Sequence, residues 1–259
     1  MKIHPTALVD KKAKLADDIE VGPYAIIGPD VEIGGSTKVG AHVVIEGYTS
    51  IGKGCRIFTG AVLGSIPQDL KYKGVKSFLK IGGNNTIREY ATLNPGTSEG
   101  SATDIGEDNL LMAYSHVAHD CKVGNGCVIA NNGTLAGHVT LEDKAVIGGL
   151  TAIHQFTRVG KMAIIGGCSK VVQDIPPFST CDGHPARVYT LNAVGLQRAG
   201  VTKEAQSALK KAFKFLFNSG LTFKNAAEKI KEGVEGCEEV DYLLDFIKNS
   251  KRGVCRGAE

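Results

Sequence analysis

Residues 117–147 read VAHDCKVGNGCVIANNGTLAGHVTLEDKAVI, with an aliphatic side chain at every sixth position: Val117, Val123, Ile129, Leu135, Leu141 and Ile147. A helix repeats its apolar face every 3.6 residues and a half-buried strand every second residue, so neither produces this spacing. The beat extends backwards through Leu111 and Ile105, and forwards through Ile153, Val159, Ile165 and Val171. Nearer the start it occupies Ile3, Val9, Leu15, Val21, Ile27, Ile33, Val39, Ile45, Ile51, Ile57 and Leu63, then Ile81, Ile87 and Leu93. A six-residue repeat predicts a parallel β-helix, in which each hexad is one short strand and one turn, and stacked coils bury a continuous core. Two positions before the aliphatic residue usually stands a small one, among them Ala25, Ala61, Ala91, Ser115, Gly133, Ala145 and Ala163, as expected where the chain turns a tight corner inward. With three hexads to a triangular coil, residues 18 apart in sequence share a column, about 4.8 Å apart along the axis.

The chain has 259 residues, enough for one or two domains around a sizeable core. A formal charge of +3 gives no reason to expect nucleic acid or a membrane surface as partner. No apolar stretch follows Lys2 and none approaches membrane-spanning length, so the expectation is a soluble cytoplasmic protein without an integral membrane segment. Seven cysteines form no Cys-x-x-Cys pair. Cys55, Cys121 and Cys127 take the small inward slot, which predicts packed thiols in a reducing compartment rather than disulfides or zinc ligands.

The beat lapses twice. Between Leu63 and Ile81 the inward position falls on Asp69, and a carboxylate is too costly inside a dry coil, so residues 64–80 are expected to leave it as a loop carrying Gln68, Asp69 and Lys71. A second excursion is expected over 94–104, where Pro95, Gly96 and Gly100 cluster. After Val171, Pro176-Pro177 and Gly183-His184-Pro185 read as an irregular connector. Beyond it the period becomes helical, with Leu209, Ala212, Phe213, Leu216 and Phe217 following a cap at Thr202, and two further helices around Ile230–Val234 and Val240–Ile247. The domains are therefore expected at 1–189 and 190–259.

His116, His119, His138 and His154 fall in consecutive coils, and the column rule aligns Asp120 with His138 and His119 with Gly137 and Gln155. One edge of the prism thus carries imidazoles, a carboxylate and an amide, with Ala118, Ala136 and Gly137 leaving room between them. Three chemistries fit such an edge. The imidazoles could simply be solvated. Three of them, or two and a carboxylate, could hold a metal. Alternatively, a neutral His119 oriented by Asp120 could take a proton from an alcohol, whose own pKa is far too high for ionisation at neutral pH.

At these residues the chain resembles the UDP-N-acetylglucosamine O-acyltransferases, which open lipid A biosynthesis in Gram-negative bacteria. The resemblance rests on Gln68-Asp69-Leu70-Lys71-Tyr72, His116-Val-Ala-His119-Asp120-Cys121, Leu135-Ala-Gly-His138-Val139, His154-Gln155-Phe156, Gly166-Gly167-Cys168-Ser169 and the helical tail. It implies a left-handed β-helix followed by a small helical domain, assembled as a homotrimer with sites between subunits. It also implies transfer of a (3R)-3-hydroxyacyl group from acyl carrier protein to the sugar 3-hydroxyl, with no cofactor or metal, the acyl group arriving on the carrier's phosphopantetheine. His119 matches the family's general base, Asp120 its orienting carboxylate and Gly137 its oxyanion donor. Gln68, Asp69, Lys71, His116, His138, His154 and Gln155 match substrate contacts, Asn192 and Arg198 nucleotide contacts, and Gly167 the position that limits acyl length. Ala199 stands where many members carry a second arginine, so the diphosphate is expected to rest on Arg198 and Lys71. Transfer to a 3-amino sugar nucleotide, a γ-class carbonic anhydrase and a non-catalytic β-helix are the alternatives.

Overall fold

The computed structural model describes residues 1–234 and 236–258. Residues 2–171 wind into a triangular prism whose strands are mostly two residues long. Face one begins with Lys2–Ile3, face two with Leu8–Val9 and face three with Lys14–Leu15, and the faces hold eleven, nine and eight strands. Within each coil-derived stack the strands are parallel, as in Lys2↔Glu20 and Ile3↔Val21. Past the first, open coil, whose Ile3 is exposed, each pair puts the aliphatic residue inside and its predecessor toward solvent, as in Lys38–Val39 and Lys122–Val123. Ile45, Leu63, Leu93, Val117 and Leu135 are completely buried, and each such burial is worth about 1.5–3 kcal/mol.

The 18-residue register is interrupted twice without being lost. Leu63 pairs with Leu93, 30 residues on, and Leu93 with Val117, 24 on. The two excursions therefore add 12 and then 6 residues (30 − 18 and 24 − 18). Phe78–Ile81 and Ala102–Ile105 are already strands of face three, so the loops span 64–77 and 94–101, shorter than the hexad lapses suggest.

Corners I, II and III join faces one to two, two to three and three to one. Many are turned by a non-glycine residue in the left-handed region, including Asp120 (φ 58°) and His138 (φ 60°). That conformation costs roughly 1–2 kcal/mol per residue. It is held because the residue's N–H reaches the corner carbonyl one coil earlier, as His138 N–H does to His119 C=O at 3.0 Å and Phe156 N–H to Gly137 C=O at 3.1 Å.

The connector expected after Val171 is more regular than its prolines suggest. Ser179–Gly183 and Ala186–Leu191 form an antiparallel hairpin that completes face one. Four helices follow: α1 (Ala193–Arg198), α2 (Lys203–Phe217), α3 (Phe223–Gly233) and α4 (Glu238–Lys248). Thr202 caps α2 by accepting from Ala205 N–H at 3.2 Å, and Leu209, Ala212, Phe213 and Leu216 are its buried stripe. Val234 lies just past α3 as its C-cap. The short α1 has no periodic signal of its own. The last segment runs back onto the prism, with Cys255 N–H to Asp174 C=O and Val188 N–H to Arg256 C=O both at 2.8 Å. No helix among the described residues is long and apolar enough to cross a membrane. Cys55, Cys121 and Cys127 are buried as their slot predicts, burial pushing the Cys121 thiol up to about 12, whereas Cys168 at corner I is exposed.

Candidate active site

Both excursions leave the prism at corner II, on the coils that precede His119. Asp69 shapes the first, accepting from Lys71 N–H at 2.9 Å through its side chain and from Tyr72 N–H at 3.0 Å through its carbonyl. Gln68 and Lys71 stay exposed. The loops are tied together, since Gly100 N–H donates to Lys76 C=O at 2.8 Å, Lys76 N–H to Glu99 at 3.2 Å and Asn94 Nδ2 to Ser65 C=O at 3.1 Å.

At the same corner His119 Nδ1 lies 2.9 Å from Asp120 Oδ2, with only 16% and 11% of the two side chains exposed. A carboxylate only accepts, so Nδ1 carries the proton and Nε2 presents its lone pair. The same Oδ2 accepts from Thr97 Oγ1 at 2.7 Å and Thr97 N–H at 3.2 Å, and His138 Nε2 stands 3.8 Å away. Partial burial opposes ionisation of Asp120, but the hydrogen bonds from Thr97, His119 and Ser101 and the nearby His138 outweigh it and hold the carboxyl below its ordinary value. Thr97 is a functional candidate that sequence periodicity does not reveal, because it sits in a loop outside the columns.

Gly137 lies one coil on, directly against the His119 ring, and a Cβ there would stand 2.5 Å from Nε2. Among the described residues its N–H donates to no acceptor. That hexad position is one where the ladder needs no donor, which is why Pro23, Pro29 and Pro95 occupy its equivalents. The His138 ring meets His119 edge-on at 5.1 Å and stacks on Phe156 at 4.5 Å. His116 Nδ1 is 2.7 Å from Thr92 Oγ1, and burial, with His119 nearby, pushes the His116 pKa down. His154 and Gln155 are exposed one coil further along.

Three expected site residues are not brought to this corner. Gly167 is 48 residues from His119 (167 − 119), two coils plus twelve residues, and twelve residues move the chain on by two corners, to corner I. Counting along the axis alone hides that displacement, so a groove along a single edge does not join them. Asn192 caps α1, accepting from Gly195 N–H at 2.9 Å while its Nδ2 donates to Met162 C=O at 2.8 Å on corner III. Arg198 is exposed in the last turn of α1.

Residues 102–137 match the bacterial transferase hexapeptide family, and residues 174–255 match "Udp N-acetylglucosamine O-acyltransferase; Domain 2". Over 255 residues, 98% of this chain and 99% of the relative, the sequence is 51% identical to the acyl-[acyl-carrier-protein]--UDP-N-acetylglucosamine O-acyltransferase of Thiobacillus denitrificans. The chain belongs to the UDP-N-acetylglucosamine O-acyltransferase family. The acyltransferase of that name in Thermodesulfovibrio yellowstonii is 50% identical, covering 98% of this chain and 99% of its own. The solved LpxA of Acinetobacter baumannii superposes with a TM-score of 0.94 at 42% identity, covering 98% and 99% of the two chains. The fold is thus the left-handed β-helix with a helical C-terminal domain of the UDP-N-acetylglucosamine O-acyltransferases, a hand opposite to ordinary β-crossovers.

Proposed function

We propose that this acyltransferase moves a (3R)-3-hydroxyacyl group from acyl carrier protein to the 3-hydroxyl of UDP-N-acetylglucosamine, the first step of lipid A biosynthesis. The observation that carries the mechanism is the His119–Asp120 pair set against a glycine whose N–H has no acceptor among the described residues. His119 Nε2 takes the proton of the sugar hydroxyl as its oxygen attacks the thioester carbonyl, and Asp120 stabilises the imidazolium through Nδ1–H. The carbonyl electron pair moves onto oxygen, where the Gly137 N–H meets it. The pair then returns, the carbon–sulfur bond breaks, and the phosphopantetheine sulfur leaves with the proton from Nε2. No metal or cofactor enters these steps.

Asp69 and Lys71 on the first loop, with Gln68, His116, His138, His154 and Gln155, line the path for the sugar nucleotide. Asn192, Arg198 and Gly167 complete the site from a neighbouring subunit of a homotrimer in the cytoplasm, which is the arrangement their positions away from corner II favour.

Replacing His119 with Ala should lower kcat by a factor of about 100 or more while the melting temperature hardly moves. Near-normal turnover by a folded variant would remove His119 as the base.

A metal reading retains one supporting observation, since ligand atoms of His119, Asp120 and His138 lie within 4.8 Å of one another. It would require a fourth ligand from solvent or substrate. Stoichiometric zinc in the active protein, found by elemental analysis, would favour it.

A further inference from the structure

Arg252 lies 98 residues from His154 in sequence, yet its Nη2 is 2.9 Å from His154 Nδ1. Its Nε donates to Val172 C=O at 3.0 Å, one coil beyond His154 on corner II. The segment bearing it is pinned to the same coil, with Ser250 Oγ donating to Asp174 at 2.7 Å and Asp174 N–H to Gly253 C=O at 2.9 Å. The guanidinium is thus held from two sides.

We propose that Arg252 is a positioning residue that fixes the tautomer of His154 and so prepares it to donate to an acceptor oxygen of the sugar nucleotide. A guanidinium has donors only, so His154 Nδ1 must accept, and the ring carries its proton on Nε2. Among the described residues Nε2 has no partner, so an N–H donor is directed off the protein on the edge that holds His119. Gln155 C=O, 3.2 Å from Nδ1, is the rival neighbour. Without Arg252 it would draw the proton to Nδ1, leaving Nε2 an acceptor that repels an anionic oxygen. The inference rests on the sugar nucleotide lying along corner II; the tautomer does not.

Nitrogen-15 spectra of the histidine rings at pH 8, with the His154 signal assigned by its loss in His154→Gln, should show the Nε2–H form in the wild type and the Nδ1–H form in Arg252→Met. The KM for UDP-N-acetylglucosamine should rise about tenfold in Arg252→Met, with the KM for acyl donor and the melting temperature little changed. Arg252→Lys keeps a donor and should recover most of the loss. Arg252→Met should add nothing in a His154→Ala background. A wild-type Nδ1–H signal, or effects that add in the double variant, would overturn the inference. A tautomer that switches while the KM stays constant would leave Arg252 in command of the ring and remove His154 from the substrate's path.

Discussion

Thr97 shows how much of the proposed catalytic geometry rests on one hydroxyl. Asp120 Oδ2 is shared by His119 and by the side chain and N–H of Thr97, so the carboxylate cannot turn without losing several partners together. Thr97→Val removes the 2.7 Å bond, worth roughly 1.5–3 kcal/mol for a charged acceptor, and should lower kcat about tenfold, with Thr97→Ser restoring it. The Asp120 pKa is depressed in the folded chain, so its contribution to stability is present above the unfolded value near 4 and fades as pH falls through the folded one. Losing Thr97 raises the folded pKa toward the ordinary value. Acid unfolding of Thr97→Val, followed by circular dichroism, should therefore begin at higher pH than in the wild type; coincident curves would mean the hydroxyl does not hold the carboxylate. The pairing of His119 with Asp120 and its placement over Gly137 could be read from sequence because adjacency and the 18-residue column fix both. The contacts of Thr97 and Arg252 could not, because excursions and tails obey no column.

Elements were readable in proportion to how strictly their period is enforced. From Val21 onward each hexad buries one aliphatic side chain in a core a single chain thick, so a polar residue at that position cannot be hidden, and Asp69 marks the first excursion for that reason. The hairpin of Ser179–Gly183 and Ala186–Leu191 was obscured because its prolines and glycines signal turns while tertiary pairing supplies the strands. Helix α2 divides cleanly, with Leu209, Ala212, Phe213 and Leu216 buried and Lys203, Lys210, Lys211 and Lys214 on its other sides. Carrier proteins are acidic as a class, so this face offers complementary charge. Changing Lys210, Lys211 and Lys214 together to Glu should raise the KM for acyl carrier protein thioester and flatten its dependence on salt, without altering the KM for sugar nucleotide. A donor KM indifferent to both changes would leave the lysines as solvated surface.

A single prism has three corners, and the expected site residues are not gathered on one: most lie on corner II, Gly167 lies on corner I, and Asn192 and Arg198 lie at α1 beyond the prism. The periodicity that makes axial distance easy to count also hides rotation: His119 and Gly167 are about 13 Å apart along the axis by their 48-residue separation, yet they face different directions. In the proposed trimer an acyl chain reaching from one to the other would lie between two subunits, and about 13 Å matches some ten carbons beyond the reacting carbonyl. Gly167→Met should accordingly shift preference by several carbons toward shorter donors while turnover with those donors is kept. A chain-length profile that does not change would place the end of the groove elsewhere. Among the described residues five cysteines are buried and Cys237 is half-buried, whereas Cys168, immediately beside Gly167, is exposed. A maleimide fluorophore should therefore attach at this corner first, and in the proposed trimer its rate of attachment should climb on dilution, so that the protein carries its own optical gauge of whether that corner is covered.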